Sequence, residues 1–401
     1  MLGRPVYIYS ALRTPRALAK DRGGLRNTKP IDLVAALLAA MQQQTHGALD
    51  SVEDLVLGCV TQVGEQGANL ARTAALYAGL PSCSGVTINR FCASGLDAIA
   101  LAASKVASGM EDLVLAGGVE SMSRVPMLSD GGPWFADADV AARTRFIHMG
   151  VAADLIATRR GYSRETVDEF ALTSHKRASR ARACGFFARS IVPIAIAEGR
   201  LCEHDEGIRE GLTRDKLAKL PAAFVNEGAR GADAIALARY PDLARIDHVH
   251  AAGSAPQMVD GASLLLLGSA EAGERAGLRP RARVRSFANA TTDPVEMLTA
   301  PAPATRRALA RAGLTLPQVG RFECNESFSA TVLAYRDELV IDPARLNPRG
   351  GAIALGHPLG ATGGVLVATL LDELEACDET IGVVAMCAGA GIGAALVVER
   401  M

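Results

Sequence analysis

Four residues stand where a strand meets a turn or a helix, and each has a side chain able to do chemistry. Cys92 lies in Asn89-Arg90-Phe91-Cys92-Ala93-Ser94-Gly95-Leu96. A cysteine at a helix start feels the positive end of the helix dipole, which favours the nucleophilic thiolate. The small residues after it leave room for a substrate. A buried structural cysteine explains the residue equally well when it is taken alone. His357 lies in Leu355-Gly356-His357-Pro358-Leu359-Gly360. An imidazole held at such a corner can take a proton from a thiol; a capping or core histidine is the plainer alternative. Cys387 lies in Met386-Cys387-Ala388-Gly389-Ala390-Gly391-Ile392-Gly393. Its weakly acidic thiol suits general acid–base work, and amides of a glycine-rich turn, Gly389 among them, can stabilise an oxyanion. A simple tight turn remains open. A dinucleotide fingerprint at Gly389, Gly391 and Ala394 is excluded, because the few residues after it are strand-like and open no helix. Asn325, in Asn325-Glu326-Ser327-Phe328, either caps the next helix or holds a catalytic water.

The elements around these residues follow an α/β pattern. Val6 to Tyr9, Asp54 to Leu57, Gly85 to Asn89 and Leu113 to Ala116 are strand-like, and Ile31 to Met41 is an apolar helix. After Cys92, the apolar Leu96, Ile99, Ala103 and Val106 recur at helical spacing. The order returns near the end: a strand at Arg321 to Cys324, a helix at Ser329 to Leu339, and Gly350 to Leu355 leading to His357. A helix is expected from about Leu359 to Leu374, with Pro358 in its first turn. Strands at Ile381 to Met386 and Ala394 to Glu399, joined by a turn over Cys387 to Gly393, read as a hairpin. The two halves thus read as repeats of one βαβ plan, with Cys92 and His357 in matching places. Ser121 to Ala251 breaks the plan with charged stretches such as Arg164 to Arg182, and reads as an inserted accessory segment.

The bulk properties are those of a soluble, multidomain chain. It has 401 residues, 49% of them apolar, and a formal net charge of −1. Near-neutrality provides no general field for nucleic acid or an acidic membrane. The eight cysteines are scattered and read as reduced thiols. Met1 to Ser10 lacks the apolar middle of a signal peptide, and runs such as Leu264 to Leu267 are far too short to span a bilayer. A cytoplasmic location is the expectation.

The four blocks, in this order, resemble the thiolase family along essentially the whole chain. Arg13-Thr14-Pro15, the Gln62 to Pro81 stretch and Gly117-Gly118-Val119-Glu120-Ser121-Met122-Ser123 are thiolase-like too. The resemblance implies a five-layered αβαβα fold of two repeated halves. The first half covers 1–120, continued by about 251–272; an inserted loop domain for coenzyme A covers 121–250; the second half covers 273–401. It implies cleavage of a 3-ketoacyl-CoA to acetyl-CoA and a shortened acyl-CoA, or the reverse condensation. Cys92 becomes acylated and His357 activates it. Asn325 holds a water in an oxyanion hole. Cys387 moves protons to and from the acetyl-CoA carbon and the incoming thiol. The amides of Cys92 and Gly389 cradle the acyl-enzyme. His148, Met149, Phe224, Ser254 and Phe328 fall where family members line the pantetheine tunnel. The resemblance implies no cofactor and no metal, with acyl-CoA and coenzyme A as the partners, no nucleic acid or membrane, and a homodimer or homotetramer.

Some positions depart from the family pattern. Pro221 stands where an arginine is common, and Pro256 where a serine is common near the pantetheine. Ala93, Ser327 and Ala388 are smaller changes, and Asn347-Pro348-Arg349-Gly350-Gly351 replaces Asn-x-Asn-Gly-Gly. Three rivals compete. A ketoacyl synthase would place histidine or asparagine at Cys387. A zinc protein would use Cys202, His204, His248 and His250, which read better as scattered solvent-facing residues. A catalytically idle homologue would keep the fold.

Overall fold

The computed structural model describes residues 3–401; Met1 and Leu2, the start of the expected first half, lie outside the described residues. Nine strands follow one another across the main sheet: Arg321–Cys324, Ile381–Ala388, Ile392–Arg400, Ala282–Thr291, Tyr7–Arg13, Val259–Gly268, Leu113–Ser121, Asp54–Gly58 and Ser84–Ile88. The first four belong to the C-terminal half and the other five to the N-terminal half. Two residue pairs, Tyr7 with Arg283 and Ile8 with Ala282, sew the halves together edge to edge. The chain returns to the first half after the insertion, since Val259–Gly268 lies between Tyr7–Arg13 and Leu113–Ser121.

Helices complete the five layers. Pro30–Gln44 begins with proline at its start and buries Leu33, Leu37, Leu38 and Met41, a three-and-four spacing that makes one apolar stripe. With Leu70–Tyr77 it covers the outer face of the first half. Pro301–Ala312 and Ser329–Leu339 cover the outer face of the second. Between the halves lie Ser94–Ser108 and Thr362–Ala376, whose Leu96, Ile99, Leu366 and Leu370 share one core with strands of both halves. Phe91–Ser108 is long and apolar enough for a bilayer by composition, yet 72% of it is buried inside the protein. It is a core helix.

These two central helices can meet because their contact is made of glycine. A Cβ on Gly363 would lie 2.0 Å from the Leu96 amide nitrogen, and one on Gly95 would lie 2.4 Å from the Gly360 carbonyl. No side chain fits there. The backbones that carry Cys92 and His357 are therefore held in direct contact.

Two expected boundaries shift. The helix after His357 starts at Thr362, following a single 3-10 turn over Leu359–Ala361, so Pro358 precedes the first turn instead of sitting in it. The final turn is tighter than expected: Cys387 and Gly393 pair within the antiparallel ladder, and only Gly389–Gly391 turn. Ala390 and Gly391, at φ 59° and 77°, form the left-handed corner. The insertion contains the helices Met149–Arg160 and Arg164–Ala183 and a small ribbon of Ile194–Ala195 with Leu201–Cys202. Arg13 and Arg16, both buried, clamp Asp205 of this insertion at 2.8 and 3.0 Å. That ion pair ties the first strand to the inserted segment.

Candidate active site

Cys92 leaves its strand through a short, tightly bonded turn. Phe91 adopts a left-handed backbone, φ 47°, a conformation that costs free energy for a residue with a side chain. Two polar side chains hold it. Asn89 Oδ1 accepts from the Phe91 amide at 2.7 Å, and Ser94 Oγ accepts from the Arg90 amide at 2.8 Å while donating to the Phe91 carbonyl at 2.6 Å. The small residues after Cys92 thus do two jobs: Ser94 locks the turn and Gly95 admits the neighbouring helix.

The expected thiolate is not the resting state. Burial pushes the Cys92 thiol far up, and the nearby Cys387 thiol adds to the shift. Cys92 lies two residues ahead of the helix that starts at Ser94, and the dipole falls off within the first turn, so desolvation wins. A neutral Cys92 needs a base.

His357, which lines the same cavity, has its hydrogen fixed on one ring nitrogen. Its Nδ1 lies 2.6 Å from Thr362 Oγ1, whose hydroxyl donates to the Pro358 carbonyl at 2.9 Å. The Thr362 oxygen must therefore accept, and Nδ1 carries the hydrogen. Burial, helped by the Arg16 charge, pushes the His357 pKa down to about 3. The ring is neutral, and Nε2 presents its lone pair.

Asn325 and Cys387 join the same network. Asn325 Nδ2 lies 3.4 Å from His357 Nε2 and donates to Ser327 Oγ at 2.8 Å. The Cys387 thiol donates to the same Ser327 oxygen at 3.0 Å. Burial pushes the Cys387 thiol up to about 11, with the Ser327 bond opposing it. Asn325 does not cap a helix. The helix begins at Ser329 with Phe328 at its cap position and no side-chain cap. Instead Asn325 Oδ1 is buried without a partner among the described residues, as suits an acceptor for a bound water.

One cavity of about 180 Å³ brings Cys92, His357 and Cys387 together. His148, Met149, Phe224 and Phe328 line it as well, and so does Pro256. His148 Nδ1 accepts from the Gly150 amide at 3.1 Å, capping the Met149–Arg160 helix, and its ring packs on Phe224. Ser254 is a correction. It is buried outside the cavity wall, and its hydroxyl is bonded to Ala251 in a local turn. Its neighbours Ala255 and Pro256 form the wall instead. Gly389 is likewise not on the wall, though Ala388 is; Gly389 abuts Trp134 and Phe91, where a Cβ would come within 3.0 and 3.3 Å. A larger cleft, about 700 Å³, runs along Arg164–Ala183 but contains none of the reactive side chains.

The histidines of the rival zinc reading are also corrected. His250 is fully buried, and His248 is mostly buried. Both bond to the buried Asp154, at 2.7 and 2.8 Å, and His248 bonds Asp233 at 3.1 Å. His250 Nε2 lies 3.3 Å from the Ala330 amide nitrogen, which donates to it. They brace the insertion against the helix that follows Phe328.

Comparison with known proteins agrees with this geometry. Residues 6–271 match the thiolase N-terminal domain, and residues 278–400 match the thiolase C-terminal domain. The chain is 38% identical to the 3-ketoacyl-CoA thiolase of Bacillus subtilis, covering 98% of each chain. It is 40% identical to a β-ketoadipyl-CoA thiolase of Pseudomonas aeruginosa, covering all of both. A crystal structure of the Bacillus anthracis acetyl-CoA acetyltransferase superposes with a TM-score of 0.86 at 34% identity, over the full length of both chains. The chain belongs to the thiolase family. It is an acyltransferase of CoA-dependent thiolytic cleavage and its reverse condensation, and the ketoacyl-synthase reading gives way.

Several residues of this thiolase site were not singled out from the sequence. Thr362 fixes the tautomer of His357. Glu120, inside the Gly117 to Ser123 block, is buried and accepts from the amides of Val60, Thr61 and Gly360 and from Gln66. It holds the His357 turn against the first half. Glu326 accepts from Ser174, Asn347 and the Ile353 amide, anchoring the loop before His357. The signal that could have found the two glutamates was an acidic residue within each motif, which in a buried setting must find donors.

Proposed function

We propose that Cys92 is the nucleophile of this thiolase, His357 its base, Cys387 the general acid and base, and Asn325 the holder of an oxyanion-hole water. The observation that carries this reading is the shared cavity of Cys92, His357 and Cys387, with the lone pair of His357 left on Nε2. In cleavage, the Cys92 thiol gives its proton to His357 as Sγ bonds to the C3 carbonyl carbon of a 3-ketoacyl-CoA. The oxyanion collapses and the C2–C3 bond breaks. Its electron pair becomes the acetyl-CoA enolate, which takes the Cys387 proton. Cys92 is now acylated and Cys387 is a thiolate. Coenzyme A gives its thiol proton to Cys387 and attacks the acyl carbonyl, and Cys92 leaves, recovering its proton from His357. The amides of Cys92 and Gly389 would hold the acyl oxygen. Thiols and an imidazole supply every proton transfer, so the scheme runs with coenzyme A as substrate and without a cofactor.

The wall favours an uncharged acyl group. Met122, Met127, Met149, Met258, Leu298 and Phe328 dominate it, and no lysine or arginine among the described residues lines it. A buried carboxylate without a partner costs several kcal/mol. The cavity of about 180 Å³ also has to admit the pantetheine arm past His148, Met149, Phe224 and Phe328, which leaves space for a short aliphatic chain, with flexible methionines adapting to its length. Intact-mass measurement with acetoacetyl-CoA tests the whole reading. An acyl adduct on Cys92 that coenzyme A removes is expected, absent in Cys92→Ala; no adduct with any short- or medium-chain 3-ketoacyl-CoA would leave the idle-homologue reading standing.

The assembly is proposed as a homodimer or homotetramer, which the free edge of the Ser84–Ile88 strand and the 40% exposed Val86 support. A cytoplasmic location is supported by the near-neutral charge and scattered thiols. Sedimentation of the purified chain would decide the first.

A further inference from the structure

Ser327 stands between two reactive side chains in an unusual way. It is buried, it lines the cavity, and its Oγ accepts from both Asn325 Nδ2 at 2.8 Å and the Cys387 thiol at 3.0 Å. Its own hydroxyl hydrogen is engaged by no other group among the described residues. The oxygen is therefore an acceptor towards Cys387 in the thiol state, with a free hydrogen in reserve.

We infer that Ser327 is a positioning residue for Cys387: it orients the thiol as an acid and turns its hydrogen to the sulfur when the thiol becomes a thiolate. This rests on the acid–base reading of Cys387 given above. Ser327 alternates between two roles. While Cys387 holds its proton, the S–H points along the 3.0 Å line to Ser327 and cannot wander in an apolar wall. When the enolate takes that proton, the sulfur becomes an acceptor. The hydroxyl can then rotate and donate across the same distance, with no other atom moving. The Asn325 amide stays bonded to the oxygen in both states, so rotation leaves the oxyanion side of the site undisturbed.

A hydrogen bond to the charged form favours it. Burial is the dominant influence on the Cys387 thiol, and the Ser327 hydroxyl is the side chain that opposes it. Alanine at 327 would keep the packing and remove the donor. The thiolate would then be harder to form, and the step that needs it, taking the proton from coenzyme A, would slow. Attack of Cys92 on an activated thioester, whose leaving group needs no proton, would not.

The test is the pH–rate profile for CoA-dependent removal of an acetyl group placed on Cys92 by such an activated thioester, in wild type, Ser327→Ala, Ser327→Thr and Cys387→Ala. Ser327→Ala is expected to displace the profile upward by about one pH unit, roughly a tenfold slower rate at a fixed neutral pH, with acetylation of Cys92 unchanged. Ser327→Thr, which keeps the hydroxyl, is expected to restore the wild-type profile. A Ser327→Ala profile superimposed on wild type, with Cys387→Ala inactive in deacylation, overturns the role of Ser327 alone. Equal loss in acetylation and deacylation without displacement also overturns it, since that marks a structural effect through Asn325. Normal deacylation by Cys387→Ala would instead overturn the reading of Cys387 itself.

Discussion

Two thiols face one cavity, and the chain treats them differently. Cys92 sits on a strained turn between a strand and a helix, and Cys387 sits at the end of a ladder strand, paired with Gly393. Both are buried, and burial raises both. Cys387 has a hydroxyl to lean on; Cys92 has no such side-chain partner among the described residues and feels Cys387 as well. Under the roles proposed above, this difference would separate their tasks. A thiol with no stabilised anion is quiet until a base takes its proton at the moment of attack, which protects the nucleophile. A thiol with an adaptable partner can hold its proton and its anion in turn, which an acid–base group needs.

The largest expected effect is at the proposed nucleophile. Cys92→Ala should lower turnover by about a thousandfold or more, with no acyl adduct by intact mass; near-normal turnover would end the assignment. Cys387→Ala should lower turnover by about 10²–10⁴ yet leave Cys92 open to an activated thioester. Failure of that acylation would mean the two thiols act as one unit. Thr362→Val should sharpen the contrast further. Removing the acceptor for His357 Nδ1–H frees the other tautomer, and kcat should fall about tenfold to a hundredfold with KM little changed; an unchanged kcat would show that the tautomer is set elsewhere.

The smallest effect concerns a histidine outside the cavity. Burial works against the charged form of His248, but Asp154 and Asp233 outweigh it and raise its pKa. A raised histidine stabilises the fold fully below its unfolded value, about 6.5, and the contribution is lost as pH rises through the higher folded value. Thermal melting of wild type should therefore fall relative to His248→Gln above that range, by about one to two degrees. Parallel melting curves of the two proteins across that range of pH would show that the ring carries no charge in the fold.

Much of this site was legible in the sequence because its chemistry is local. Cys92, His357, Cys387 and Asn325 each sit at a strand end or helix start, and their short motifs mark that place. Arg13-Thr14-Pro15 was legible as a block without a reason; the reason is the buried Asp205, 192 residues away. The helix cap read for Asn325 failed because the helix starts four residues later. Ser254 failed because spacing along a loop does not say which neighbour faces the wall. His248 and His250 read as surface residues because charged groups flank them, whereas one buried carboxylate draws both inward.

The amino-acid order by itself determined the repeat of strand, turn and helix, and the glycines at 95 and 363. It also set the reactive side chains at the ends of elements, where backbone geometry leaves them free. Only the tertiary structure decided their protonation and partnership. Closing two helices at glycine contact brought the His357 turn beside the Cys92 turn, and removing water from between them raised both thiols and lowered the imidazole. Those shifts depend on what surrounds each group in space, and no run of neighbouring residues encodes that directly.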